Sequence, residues 1–85
     1  MARIEMEMRN LPLNRLQEYL VEAGAKRHGE RSFIGAGWHA AIEPMEPAQI
    51  VTMTVRRDRV VIEGDEAEVN RVHAHMRLKT MRGGG

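Results

Sequence analysis

The residues of this 85-residue chain best placed to do chemistry stand at its C-terminal end, Arg82-Gly83-Gly84-Gly85. Gly84 and Gly85 carry no side chains. An unhindered, extended tail ending in a carboxylate is what must thread into the active site of an adenylating enzyme, where the carboxylate is activated and converted to a thiocarboxylate. The residues before this tail read as helix rather than strand. The plainer reading is a flexible glycine tail over residues 83–85, since glycines do not hold a helix and termini fray.

The remaining reactive side chains form no constellation. His73 and His75 are two apart on a helix, about 200° around its axis, so they do not close on one metal. His28 and His39 stand far away in sequence, and no His-x-x-x-His pair or companion carboxylate completes a ligand set. No metal and no cofactor is therefore expected. Ser32 is the only serine and has no histidine and acid spaced to activate it. Glu5 and Glu7 lie on the outer side of a strand, where ion pairing is commoner than acid–base work. There is no cysteine, which removes disulfides, thiolate metal sites and thiol nucleophiles together. Nothing in these residues supports an enzyme, and the question stays open at this point.

Charge narrows the partners. A formal net charge of +1 gives no field that would favour nucleic acid or an anionic membrane. Arg56, Arg57 and Arg59, and separately Arg71, Arg77, Lys79 and Arg82, are local basic clusters, yet no aromatic pair suits base stacking. No apolar run nears the roughly 20 residues that span a bilayer. Residues 1–9 lack the apolar core of a signal peptide. The expected location is cytoplasmic.

The elements that must position these residues follow from periodicity. Ile34, Ala36, Trp38, Ala40 and Ile42 alternate, which predicts one long central strand over residues 32–43, with Trp38 as its core anchor. Phe33, Gly35, Gly37, His39 and Ala41 then line the other side, a strip of small residues that a protein partner could approach. Residues 3–9 predict an amphipathic strand. Asn10 as N-cap and Pro12 in the first turn open a helix with Leu13, Leu16, Leu20 and Ala23 on its apolar stripe, Tyr19 at its margin and Gly24 as C-cap. Residues 25–31 fit either a short edge strand or a loop. Pro44 and Pro47 break the central strand, and residues 49–56 resume it. Arg57-Asp58 predicts a tight turn into a strand over residues 59–63, whose Val60 and Ile62 join Val51 and Met53, leaving Val61 outside. Asp65 with Glu68 resembles a capping box, opening a helix with Val69, Val72 and Met76 inward and His73 and Leu78 at its edges.

Assembled, residues 1–82 form a single two-layer α+β domain, an antiparallel sheet with two helices on one face, in the order β-α-β-β-β-β-α. The other face stays open, carrying Arg3, Glu5, Glu7, Thr52, Thr54 and His39. Arg3, Glu5, Glu7 and Arg9 could pair reciprocally in a homodimer.

The Met-rich first strand, Leu11-Pro12-Leu13, Gly35-Ala36-Gly37-Trp38, Gly64-Asp65-Glu66 and Leu78-Lys79-Thr80-Met81-Arg82-Gly83-Gly84 together resemble a family. It is an uncharacterised small prokaryotic domain that also occurs as the C-terminal domain of a protein related to the molybdopterin-synthase small subunit, a sulfur carrier. There it follows a ubiquitin-like domain, for which no counterpart is expected within these 85 residues. The resemblance implies a fold similar to half of the TATA-binding protein, a strand within residues 25–31, and a setting in molybdopterin and sulfur-carrier metabolism; it implies no site residues. The expected function is that of a non-enzymatic interaction or accessory domain with a protein partner. The alternative is a sulfur carrier using Gly84 and Gly85, and further behind stands weak nucleic-acid or small-ligand binding.

Overall fold

Seven elements follow one another in the computed structural model, which describes residues 1–83: β1 (Ala2–Arg9), α1 (Leu13–Glu22), β2 (Lys26–Arg27), β3 (Ser32–Gly35), β4 (Trp38–Ile50), β5 (Met53–Gly64) and α2 (Glu66–Gly83). The strands form a five-stranded antiparallel sheet in the order β1-β5-β4-β3-β2. Alternation dictates β1: Arg3, Glu5, Glu7 and Arg9 are exposed, Ala2, Ile4 and Met6 half-buried, and Met8 buried. Both helices cover the face that carries Met8, Phe33, Trp38, Ala40, Ile42, Val60 and Ile62, inserting Leu16, Leu20, Val69, Val72 and Met76 between them. Each such side chain contributes about 1.5–3 kcal/mol when fully buried.

The helix ends show why these segments stop where they do. Pro12, at ψ 150°, is the N-cap of α1. Asn10 is not the cap; it sits in a left-handed turn (φ 58°) and donates its N–H to the Arg56 carbonyl at 2.8 Å. At the other end Gly24 takes φ 110°, the Ala25 N–H reaches the Leu20 carbonyl, and the Gly24 N–H reaches that of Val21. That pair of bonds is the Schellman motif, here closed over buried Leu20 and Ala25. Arg71 of α2 reaches across to the Ala23 carbonyl at 3.0 Å, while His75 and Lys79 approach Glu22 at 3.6 and 3.4 Å. Glu68 turns to Arg71 at 3.1 Å.

Three turns differ from the sequence reading. Residues 32–43 are not one strand. Ala36-Gly37 is a two-residue hairpin turn, with Gly37 at φ 83°, pairing Gly35 with Trp38 and Phe33 with Ala40. A two-residue turn reverses parity, so Phe33 joins Trp38 in the core and Ile34 faces away beside His39. The second hairpin turns at Val51-Thr52, and Arg57-Asp58 lies inside β5. Val60 consequently pairs with Ile42 and Met6, and Val55 with Ala48. Pro44 and Pro47 do not end β4. The ladder passes them with a register shift between Met45 and Ala48, where Glu46 and Pro47 together oppose Arg56, a β-bulge. The unresolved choice at residues 25–31 falls to a two-residue edge strand.

Candidate interaction face

The uncovered side of the sheet can be read row by row from the register. Arg3, Glu63, His39, Ile34 and Lys26 lie side by side, and next to them Glu5, Val61, Ala41 and Ser32. His28 extends the second row, its N–H donating to the Ser32 carbonyl at 2.8 Å. Then come Glu7, Arg59 and Glu43, and after them Arg9, Arg57 and Met45. These charges answer one another within the chain. Arg3 bridges Glu5 and Glu63 at 3.1 and 3.3 Å. Arg59 bridges Glu5 and Glu43 at 3.6 and 3.3 Å. Arg57 reaches Glu7 at 2.9 Å, and Arg9 is Glu7's second partner. Those two guanidiniums lower the Glu7 carboxyl from the usual 4.5 to about 2. His39 lies 3.4 Å from Glu63.

Beneath this lattice Val61 is only 4% exposed although it belongs to the uncovered side and not to the main core. It stands between Glu5 and Ala41 in its row, and the rows on either side carry ionic side chains, whose stems are apolar even where their tips are wet. An isolated valine on the outer face was the sequence reading. The structure keeps it on that face and buries it.

Beyond Arg9 the sheet narrows to two strands. β1 pairs no further than Arg57, and β3 no further than Ala41, so the far ends of β4 and β5 project as a ribbon open at both edges. The bulge sets its polarity. On β4, odd residues up to Met45 face the uncovered side; after the two-for-one step Ala48 and Ile50 do so, opposite Val55 and Met53. The ribbon therefore carries Met45, Ala48, Ile50, Met53 and Val55 on one side. Its helix-side surface holds the Gln49–Thr54 hydrogen bond (3.1 Å) and the Arg56–Asp58 ion pair (2.8 Å). Asp58 is 1% exposed, and its carboxylate raises the pKa of the Arg56 guanidinium. Ile50, Val51 and Met53 are exposed by 47%, 95% and 64%. A two-stranded ribbon with such a tip is marginal in water by itself.

At the opposite end of the same side lies a shallow hollow of about 530 Å³, with Ile34, His39, Ala41, Ser32, His28 and Met1 among its walls. Of the strip expected from the sequence, His39 and Ala41 do face this side. Phe33 does not, being fully buried in the core. Gly35 lies in the Trp38 row beneath the indole, and Gly37 forms the turn. Parity across the unseen hairpin accounts for all three. Ile34, the residue the sequence placed inside, is 51% exposed in the hollow. The Gly35-Ala-Gly37 spacing was the signal that could have revealed this turn.

Among the described residues no three potential metal ligands come together, and no helix is long and apolar enough to cross a membrane. Gly84 and Gly85, the candidate carrier tail, lie outside the described residues; α2 remains helical through Gly83.

A two-layer α+β domain with one helix-covered and one bare, charge-balanced sheet face is thus the class defined by the geometry. The chain matches, over residues 4–85, the family model described as archaeal MoaD-like protein, and it belongs to that family. Membership relates it to molybdopterin and sulfur-carrier metabolism. No curated protein matches it.

Proposed function

We propose that this chain is a protein-interaction domain without chemistry of its own, serving molybdopterin or sulfur-carrier metabolism, and that it engages another protein chain through its bare sheet side. The observation that carries this reading is the ribbon. Ile50 and Met53 on its apolar side are exposed, neither edge pairs with a further strand among the described residues, and its apolar side continues the uncovered face rather than the core. Exposed contiguous apolar surface rimmed by polar groups marks interaction sites. The test is an amide-shift titration of the ¹⁵N-labelled chain with a purified ubiquitin-like sulfur carrier, and separately with the unlabelled chain. Shifts confined to β1, β4 and β5 support the reading. Shifts on the helices alone, or none with either titrant, remove it.

The second reading, a sulfur carrier that uses Gly85, draws support from the family description and from the glycine run. The helical approach of α2 to that run weighs against it, because threading needs extended chain. Intact-mass measurement after incubation with an adenylating enzyme, ATP and a sulfur donor decides the matter. The carrier reading requires a sulfur-for-oxygen gain at Gly85.

A further inference from the structure

We infer that the chain engaged by the ribbon is a second copy of this one, joined about a two-fold axis so that Ile50 and Met53 of each copy enter the hollow around Ile34 and Ala41 of the other. This rests on reading the bare sheet side as an interaction surface, and it names the occupant.

Three features of that side converge. First, it carries both halves of a contact, an apolar projection at one end and an apolar-floored hollow at the other. A two-fold interface needs one surface to be complementary to itself, and a projection paired with a hollow on one face meets that need. Second, the spacing is consistent with two equivalent contacts. Ala41 and Ile50 are about 26 Å apart along β4, allowing one residue for the bulge, at roughly 3.3 Å per residue. An axis crossing the strands midway, near Met45 and Arg57, lays each ribbon over the other copy's hollow. Third, the surface between the two ends is electrically neutral: Arg3, Arg9, Arg57 and Arg59 stand against Glu5, Glu7, Glu43 and Glu63. Two such lattices can face one another without net repulsion, whereas a strongly acidic or basic partner would meet no opposing field.

The area suffices. A stable interface of standard size takes about 800 Å² from each partner, roughly a seventh of the 5501 Å² this chain exposes. The proposed contact uses an entire sheet face and the ribbon.

The chain has no cysteine, so introduced thiols report unambiguously. Sedimentation equilibrium of the unmodified chain should give a dimer, with the dissociation constant raised at least about 30-fold by Met53→Glu or Ile50→Glu, as for loss of an apolar anchor from the pocket it fills. Both side chains are exposed in the single chain, so these variants should melt as the parent does when dilute. An equimolar mixture of Met53→Cys and Ile34→Cys chains should form covalent dimers joining the two variants under mild oxidation. A monomer at several hundred micromolar overturns the inference, and so does a predominance of Met53→Cys chains linked to each other, which would place ribbon against ribbon. A monomer that still responds to the sulfur carrier removes this inference alone, while no response to either titrant removes the functional reading as well.

Discussion

A methyl group added at residue 35 would fall inside the indole of Trp38, which lies against the bare backbone there. Gly35→Ala should therefore cost about 1–3 kcal/mol, the usual penalty for overpacking a filled core. It should be read as a lower urea midpoint with altered Trp38 fluorescence. Ala36→Ser, one residue on and exposed, should stay within about 0.5 kcal/mol. Glu7 supplies a pH-dependent prediction. Its carboxyl falls from 4.5 to about 2 because Arg57 and Arg9 donate to it. A depressed carboxylate contributes stability that is complete above the unfolded value and lost as pH falls through the folded one. Melting temperature should thus decline between about pH 4.5 and 2, and Glu7→Gln should flatten that slope. At this scale the sequence was legible where the period ran within one element, as in the alternating Ile4, Met6 and Met8 of β1 and the helically spaced Leu16 and Leu20 of α1. It misled at Phe33 and Ile34, whose sides depend on a turn that alternation alone does not reveal.

Elements were easier to recognise than the joints between them. Strand, helix, sheet and helix emerged in the right order because the helical stripes and the strand alternations have different periods. The joints failed for separate reasons. Residues 34–42 happen to alternate straight through a hairpin. Arg57-Asp58 contains a residue favoured in turns, yet Asp58 is buried within β5, paired with Arg56. The true turn holds Val51 at φ 54°, a conformation that a β-branched side chain resists and no composition rule would suggest. Val51→Gly should relieve that strain and stabilise the chain by about 0.5–1 kcal/mol, measured as a raised urea midpoint. The helix C-terminus at Gly24 was readable because the Schellman motif requires a residue tolerant of positive φ, and glycine is the usual answer.

Across the whole molecule, the domain separates its tasks by side. Every member of the main buried cluster lies on the helix-covered side, and residues 50–53 supply none of them. Replacing residues 50–53 by Asn-Gly, between the registered pair Gln49 and Thr54, should leave the circular-dichroism melt of the dilute chain unchanged while abolishing self-association. The bare side as a whole was foreseeable from the polar alternation of β1. The ribbon was not, because its apolar polarity depends on a bulge at Glu46-Pro47 that sequence patterning read as a strand end. The placement of β1 carries a consequence for biosynthesis. Among the described residues its only neighbour in the sheet is β5, with Ala2 opposite Gly64. On a ribosome β1 is made before β5 and must wait, unpaired and with Ile4, Met6 and Met8 uncovered, until residues 57–64 have emerged. Cotranslational folding of this protein is thus gated by its late strand, and nascent chains halted before residue 53 should keep their N-terminal segment within reach of chaperones.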